Sequence, residues 1–359
     1  MKKKNTSYHI IGAGVAGLSC AYFLKLKDPS CKTIVYEAAG HPGGRCYSFD
    51  DKELQTRLDN ATHVILGANK YAARLLFPHK WHNNCYFWNV QKDTIETDFR
   101  QFKPEIFKAM CNTAADEASK KIKNKIFWKL FPWGTKQRRI YFSQNDLSQR
   151  LINPLAVYAD ELHTDCKLLK LETQFGQIAQ LNFNNRQVEI NAGDKIILAL
   201  DAVNTSRFLE TPQFEFNGII NIFYHTSQPL SLPKGTSFLG IAEGLCDWIF
   251  VHGNITAVTI SDVANHNEKL EDLARNIWKQ LDTLRNVNSA FVPPFRVIHH
   301  KHATIKQDET NNAKRPQNAQ TQYPNLFIAG DWTMKDYPCS IEAAILSGKR
   351  AAQAALKKR

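Results

Sequence analysis

The chain has 359 residues, of which 43% are hydrophobic, and this size and composition favour a globular protein of two domains or one large α/β domain with insertions. Its 46 Lys and Arg residues outnumber its 34 Asp and Glu residues, so the net charge of +12 favours anionic partners (phosphates, nucleic acid or an acidic membrane surface) without choosing among them. The eight cysteines form no Cys-x-x-Cys pair and no compact Cys/His cluster, which excludes a zinc module and fits buried thiols in a reducing compartment.

The first apolar stretch, residues 8–24, follows three lysines and therefore imitates a secretory signal. It is interrupted by Gly12, Gly14 and Gly17, it is short for a membrane helix, and no small-residue cleavage site closes it. We therefore predict neither a signal peptide nor a membrane span at this end, and we expect a cytoplasmic protein.

The same stretch fits a strand over 8–11, a helix, and a second strand over 33–36 that ends at Glu37. In the G-x-G-x-x-G motif, the first glycine makes a tight turn, the second admits a pyrophosphate, and the third lets the helix pack on the strand. Glu37 lies where this fold places the acceptor for ribose hydroxyls. The alternative is a glycine-rich packing turn. The predicted dinucleotide site comprises Gly12, Ala13, Gly14, Val15, Ala16, Gly17 and Glu37.

A second glycine pair, Gly43 and Gly44, follows the ribose acid and is itself followed by Arg45. The glycines permit another close backbone approach to the dinucleotide, and Arg45 can pair with phosphate oxygens. Simple NAD enzymes do not need this second clamp, so the sequence favours FAD as the cofactor.

The motif E-x(5)-G-G-R and the C-terminal stretch NLFIAGDWTMKDYPCSIEAAILSGKRAAQAAL, from Asn325, resemble the flavin-containing amine oxidase and phytoene desaturase superfamily. The resemblance implies that Asp331 binds the ribityl chain of FAD and that a helix starting near Ser340 points its N-terminus at the flavin. Such a helix would stabilise the negative charge of reduced flavin. The further cofactor contacts implied in this way are Leu168 (backbone, to adenine), Gly330, Ser340, Ile341 and Ala343.

Three segments narrow the resemblance. Residues 56–76, 297–305 and 330–348 are similar to the squalene-associated FAD-dependent desaturases, the hydroxysqualene dehydroxylase group. This resemblance implies a polyisoprenoid or squalene-type lipid as substrate.

The fold class implied is α/β, with a discontinuous Rossmann-like FAD-binding domain and an inserted α+β substrate domain. We expect the FAD-binding domain over residues 1–76, 145–209 and 311–359, and the substrate-binding domain over 77–144 and 210–310.

Apolar patterning gives the other elements. We predict strands over 162–172, 186–201, 214–224, 248–261 and 326–329, helices over 104–126 and 267–284, and a flexible loop over 306–322.

The segment 119–139 combines a helical Ile/Phe/Leu face with many lysines. A helix of this kind can lie in a membrane interface, which would suit a lipid substrate. The alternative is an ordinary surface helix whose apolar face belongs to the core.

Two residues are catalytic candidates. In the superfamily the segment after Leu-Asp-Asn passes along the flavin face, so His63 could donate a proton to a leaving hydroxyl or hydrogen-bond the backbone, and Asn60 is weighed in the same way. We expect no metal site, because the histidines at 299, 300 and 302 have no carboxylate nearby to complete a ligand set.

The function predicted is that of an FAD-dependent oxidoreductase acting on a polyisoprenoid by hydride transfer. The alternatives are a flavin-dependent amine oxidase and a non-catalytic FAD-binding protein. We expect a small-molecule lipid or amine as substrate and no nucleic acid as partner. The sequence leaves open whether the protein contacts a membrane surface. Aromatic candidates for the substrate pocket are Phe87, Trp88, Phe127, Trp128, Trp133 and Trp248.

Overall fold

The computed structural model describes residues 6–75, 82, 85–97, 100–130, 135–143, 146–263, 269–285 and 291–357. The strands, in chain order, are β1 (Ser7–Ile11), β2 (Lys32–Tyr36), β3 (Ser48–Asp51), β4 (Thr56–Asp59), β5 (Val64–Leu66), β6 (Phe87–Asn89), β7 (Thr94–Glu96), β8 (Ile140–Phe142), β9 (Glu161–His163), β10 (Leu168–Gln174), β11 (Gln177–Phe183), β12 (Gln187–Glu189), β13 (Lys195–Leu198), β14 (Phe216–His225), β15 (Phe238–Ala242), β16 (Trp248–His252), β17 (Ile255–Val263), β18 (Phe295–Ile305) and β19 (Leu326–Ile328). The α-helices are α1 (Val15–Lys27), α2 (Ala72–Leu75), α3 (Lys103–Cys111), α4 (Lys120–Leu130), α5 (Thr135–Arg138), α6 (Asn153–Ala156), α7 (Ala202–Thr205), α8 (Leu270–Arg285), α9 (Glu309–Lys314) and α10 (Ile341–Leu356). A π-helical turn spans Ser148–Ile152, and 3-10 turns span Pro233–Gly235 and Asp331–Thr333.

The first sheet is parallel throughout, with the strand order β19-β13-β1-β2-β9. Both of its faces are covered, as the continuous apolar runs of its strands require. Helices α1 and α10 pack on one face, around Ile10, and the small antiparallel sheet β10-β11-β12 packs on the other, around Ile11. A Cβ atom at Gly348 would lie only 2.3 Å from the Ala16 carbonyl oxygen, so this glycine allows α10 to approach α1 closely.

The second sheet has seven strands in the order β18-β14-β17-β16-β15-β6-β7, and it is antiparallel except between β15 and β6. Helix α8 covers one face with Ile277, Trp278 and Leu281. The opposite face packs against α3, α4 and strands β5 and β8 through a cluster rich in aromatic side chains. This second face is called the aromatic face below, and it contacts residues 60–63 through His300 and Asn221.

The α/β fold class is confirmed: a Rossmann-like parallel sheet is joined to a larger mixed sheet with helices. The parallel sheet takes its strands from residues 1–76, 145–209 and 311–359, and the seven-stranded sheet from 77–144 and 210–310. One strand pairing crosses this partition, because β5 pairs with β8. The domain boundaries therefore stay a prediction, and residues 76 and 145, where two of them fall, lie outside the described residues.

Three predicted elements differ from the structure. The helix predicted over 104–126 is two helices, because Asn112 adopts a left-handed conformation (φ 47°) that ends α3. The strand predicted over 248–261 is a hairpin that turns at Gly253 (φ 53°). The loop predicted over 306–322 contains helix α9, whose N-cap Asp308 accepts a hydrogen bond from the Asn311 N–H.

The lysine-rich segment forms α4, and its apolar residues Ile122, Ile126 and Leu130 are buried in the core. Trp128 is the exception, with 64% of its surface exposed. Among the described residues, no helix is both long enough and apolar enough to span a bilayer.

Candidate flavin site

The turn between β1 and α1 depends on two glycines for steric reasons. Gly12 has φ +102°, and a Cβ atom there would lie 2.6 Å from the Ala199 carbonyl oxygen. A Cβ atom at Gly17 would lie 2.0 Å from the Gly12 carbonyl oxygen. Strand, turn and helix therefore meet too closely at these positions for any side chain.

Gly14 differs from these two, because a Cβ atom there would have open space in front of it. Its nearest neighbour would be Gly44 Cα at 3.9 Å. The first intrahelical hydrogen bond runs from Leu18 N–H to Gly14 O at 3.0 Å, so the N–H groups of Val15 and Ala16 are left as donors at the helix N-terminus. Open space before an uncapped helix N-terminus is the arrangement that binds a pyrophosphate.

The second glycine pair lies directly against this turn. Gly43 (φ +126°) donates its N–H to the Ala13 carbonyl at 2.9 Å, and a Cβ atom at Gly44 (φ +59°) would lie 3.2 Å from Gly14 Cα. The two glycine segments thus form one surface from residues that are far apart in the sequence.

Glu37 holds this surface in place by accepting two backbone hydrogen bonds. Its Oε2 accepts the Ala13 N–H at 2.8 Å, and its Oε1 accepts the Ala39 N–H at 2.9 Å. Each oxygen keeps a second lone pair, so the predicted contact with ribose hydroxyls remains available.

Arg45 connects this surface to the C-terminal motif. Its Nη2 lies 2.7 Å from Asp331 Oδ1, and its Nη1 donates to the Ala303 carbonyl. The negative charge of Asp331 is the main cause that raises the pKa of Arg45, so the guanidinium stays charged. Although Asp331 is buried, 46% of the Arg45 side chain is accessible, so this cation can be reached by a ligand. Gly330 (φ +143°) starts the turn that carries Asp331.

Helix α10 presents its N-terminus beside this ion pair. Ser340 is the N-cap, and its Oγ accepts the Ala343 N–H at 3.3 Å. The first intrahelical bond runs from Ala344 N–H to Ser340 O, so the N–H groups of Ile341 and Glu342 are left as donors at this end.

Two residues that the sequence analysis missed hold α10 in place. The buried carboxylate of Glu342 accepts the N–H groups of Tyr71 and Ala72, the latter at 2.8 Å, and so ties α10 to α2. Ser347 Oγ accepts the Gly330 N–H at 2.9 Å. An acid in the first turn of a helix is the one sequence signal that pointed to Glu342.

The two catalytic candidates converge on the same backbone atom. Asn60 Nδ2 and His63 Nε2 each lie 3.3 Å from the Arg45 carbonyl oxygen, so both donate to it. His300 Nε2 in turn donates to the Asn60 carbonyl at 3.0 Å. Burial, aided by the nearby charge of Arg45, lowers the pKa of His63 to about 4, so its imidazole is neutral near pH 7.

The aromatic face begins next to these residues. Its rings are in mutual contact, with Phe142 and Phe250 5.1 Å apart and Phe87 stacked on Phe102 at 4.2 Å between ring centroids. Of the aromatic residues singled out in the sequence, Phe87, Phe127 and Trp248 join this cluster. Trp88 lies on the opposite face and donates to Asp93, and Trp133 lies outside the described residues.

Three further residues are placed as follows. Leu168 is buried at the start of β10, two residues after Cys166, whose N–H bonds the Glu37 carbonyl; its adenine contact stays a prediction. Trp332 is a core residue that donates to the Leu200 carbonyl at 2.9 Å. Cys339 accepts a hydrogen bond from Arg315, and burial raises its thiol pKa to about 12, so the thiol is not a reactive nucleophile.

The residues present fit a flavin dinucleotide. The open space at Gly14 would admit the pyrophosphate next to free helix N–H donors, and a Cβ atom would fill this space. Arg45 directly follows Gly44, which contacts Gly14. Its accessible cation interacts with Asp331 and with Cys339, the residue before the N-cap of α10. FAD would therefore be held by the two glycine segments, Glu37, the Arg45–Asp331 pair and the first turn of α10.

Comparisons with known proteins agree with this geometry. The profile of the NAD(P)-binding Rossmann-like domain matches residues 10–77, and that of flavin containing amine oxidoreductase matches residues 89–356. Hydroxysqualene dehydroxylases of Zymomonas mobilis and Sinorhizobium fredii are each 27% identical to the chain, over 97% of its length and 98% of theirs.

Among solved structures, a putrescine oxidase variant superposes with a TM-score of 0.70 at 10% identity, covering 99% of this chain and 100% of that one. An oxidoreductase from Methanosarcina mazei superposes with a TM-score of 0.66 at 13% identity, covering 96% and 99%. At such low sequence identities, these structures support the fold assignment alone.

Proposed function

Because the chain belongs to the flavin containing amine oxidoreductase family and is an FAD-dependent oxidoreductase, we propose that it removes the hydroxyl group of a squalene-type polyisoprenoid alcohol. The observation that carries this proposal is the match to the hydroxysqualene dehydroxylases, which extends over nearly the whole of both chains. The apolar composition of the aromatic face next to residues 60–63 agrees with it, because a hydrocarbon chain needs apolar surroundings and offers no charge to bind.

In this reaction a carbon–oxygen bond breaks, a hydride and a proton are taken up, and water leaves; a reduced nicotinamide or flavin donor supplies the two electrons. FAD, when bound and reduced, supplies the hydride. The rings of the aromatic face, such as Phe223 and Phe250, exclude water and stabilise positive charge that develops on the substrate carbon.

For Asn60 and His63 the proposed role is to position the backbone of Arg45 next to the substrate. Both side chains donate to the Arg45 carbonyl, and this contact requires the Nε2–H tautomer of His63. A pKa of about 4 leaves His63 a poor proton donor at neutral pH, which favours positioning over acid catalysis.

Product analysis tests the function. Purified holoenzyme is incubated anaerobically with hydroxysqualene and a chemical reductant, and the extracted lipids are analysed by mass spectrometry. We expect squalene as the product. Parallel samples of the oxidised enzyme receive putrescine or other amines; bleaching of the flavin by an amine, together with no squalene from the alcohol, would reject the proposal in favour of an amine oxidase.

The lipid substrate also suggests a peripheral contact with membranes. On α4, Lys120, Lys121 and Trp128 are exposed, while the apolar side of the helix is buried. Lysines beside an exposed tryptophan suit an anionic lipid surface. The test is sedimentation with anionic and with neutral vesicles, in which Trp128→Ala should weaken binding to the anionic ones; equal sedimentation of variant and wild type would reject the contact.

A further inference from the structure

A row of polar side chains crosses the aromatic face. Asn221 on β14 is paired with Thr259 on β17, and Thr259 is paired with Trp248 on β16. Residues paired directly across strands point to the same face of a sheet, so these three side chains are neighbours. Of its three members, the sequence pointed only to Trp248, as an aromatic candidate.

Asn221 is fully buried and only half of its amide is satisfied. Its Oδ1 accepts from Thr259 Oγ1 at 3.1 Å and from the Thr62 N–H at 3.5 Å. Because a backbone N–H can only donate, the long contact with Thr62 favours the orientation in which the amide oxygen faces Thr62. Asn221 Nδ2 is then left as a buried donor with no acceptor within the described residues.

Trp248, two strands away from Asn221, is in the same situation. Its Nε1 is buried and also has no acceptor in the part of the chain that the structure describes. A buried donor without an acceptor costs free energy, and native proteins rarely keep one without a reason. Two such donors lie in one row, where a ligand with acceptor atoms would satisfy them.

The side chains around the row indicate the chemistry of the rest of this ligand. The next row on the same face consists of Phe223, Ala257, Phe250 and Phe238. Thr62, Phe142, Phe223 and Phe250 also line a cavity of about 10 Å³ between segment 59–63 and the sheet, which is room for one water-sized group. Neither Asn221 nor Trp248 lines this cavity, but Thr62 connects it to Asn221, so a group bonded to Asn221 would have apolar side chains beside it.

We propose that Asn221 Nδ2 donates a hydrogen bond to the hydroxyl oxygen of the substrate, with Trp248 Nε1 as the second donor of the row. This inference rests on the proposed function and adds the residues that select the alcohol. A hydroxyl oxygen has lone pairs to accept such a bond, and a donor stabilises it as it leaves with the bonding electrons. A protonated amine has only donors of its own, so the row disfavours it.

Equilibrium binding to the oxidised holoenzyme tests this without turnover. The probes are hydroxysqualene and squalene in detergent micelles, and the signal is the change in flavin absorbance. We expect wild type to bind the alcohol more tightly, and Asn221→Leu to reduce this preference about tenfold while affinity for squalene is kept. A merely structural role would weaken both ligands together.

Trp248→Phe is the second variant, since it deletes the other donor and keeps an aromatic ring. We expect it to reduce the preference by a smaller factor. The matched control is Thr256→Val, which removes a buried hydroxyl without a described partner on the opposite face of the same sheet and should leave the preference as in wild type.

The possible results separate the two proposals. If wild type converts the alcohol and both donor variants keep the wild-type preference, the inference about the row is wrong and the proposed function stands. If wild type binds neither probe, the proposed function itself is wrong. If Asn221→Leu fails to retain flavin, the binding preference of Trp248→Phe for hydroxysqualene over squalene tests the inference instead. A wild-type preference in that variant would contradict the inference.

Discussion

Arg45 Nη2 lies 2.7 Å from Asp331 Oδ1, and this ion pair joins the glycine surface of the first segment to the motif of the last one. Asp331 is buried and nearly half of the Arg45 side chain is exposed, so the pair brings together residues of the first and last segments that are predicted to bind the flavin. The carbonyl of the same arginine accepts from Asn60 and His63. Arg45 is therefore the point at which the cofactor segments and the predicted catalytic segment are coupled.

Replacing Arg45 with Gln should weaken both stability and flavin binding. The change leaves the buried carboxylate of Asp331 without its cation, which should lower the free energy of unfolding of the apoprotein by about 1–3 kcal/mol, allowing for the partial exposure of Arg45. Urea unfolding of apoprotein and titration with FAD measure the two effects. Arg57→Gln is the matched control, because the Arg57–Asp50 pair is exposed and should contribute less than about 1 kcal/mol. Equal losses in the two variants would contradict the coupling.

Gly14→Ala should weaken flavin binding, whereas Gly17→Ala should destabilise the fold. At Gly14 the new methyl meets nothing closer than 3.9 Å, so the apoprotein should fold normally and bind FAD more weakly. At Gly17 the methyl would lie 2.0 Å from the Gly12 carbonyl oxygen, so folding itself should be destabilised by more than about 3 kcal/mol. Circular dichroism melts and the flavin content of purified protein separate the two outcomes. Normal flavin retention in Gly14→Ala would remove the argument from the open space.

The local parts of the site could be predicted from the sequence and the long-range parts could not. The first glycine turn was recognisable because strand, turn and helix are contiguous there, and Ser340 was placed correctly at a helix start. The pairing of Arg45 with Asp331 was missed, since each residue had been assigned to the cofactor separately. Nothing in the sequence relates two charges so far apart.

Residues 306–322 were mispredicted for a different reason. The segment lacks apolar periodicity, yet Asn311, Asn312 and Arg315 are buried in it. Their burial depends on hydrogen bonds to other segments, such as the bond from Asn312 Nδ2 to Asp336 at 2.8 Å. Patterns based on hydrophobicity do not detect elements that are held in place by polar contacts.

Arg315 should be important for the segment that leads into α10. Its guanidinium is buried and donates to the carbonyls of Met334 and Tyr337, at 2.9 and 2.6 Å, and to Cys339 Sγ. Arg315→Met removes all three bonds and should lower the free energy of unfolding by about 3 kcal/mol or more, with weaker FAD binding as a consequence. Urea unfolding and flavin titration measure this.

Arg350→Met gives a control for the loss of an arginine near the same segment. It donates to Thr333 O at 2.9 Å but is less buried than Arg315, so its loss should be smaller. An Arg315 variant as stable as wild type would show that its bonds to the segment are dispensable.

His63 should make the protein less stable in mild acid. Its pKa is lowered from 6.5 to about 4 in the folded state, mainly by burial, so the unfolded state binds a proton more readily between these values. The resulting penalty is absent above pH 6.5, grows as the pH falls toward 4, and is constant below that. His63→Gln removes the titrating group and keeps a donor for the Arg45 carbonyl. Between pH 7.5 and 5.5, wild type should therefore lose about 1 kcal/mol more stability than the variant. Urea unfolding at both values measures this difference, in which all other titrating groups cancel; parallel losses would mean that His63 titrates with an ordinary pKa and is free to act as a proton donor near neutral pH.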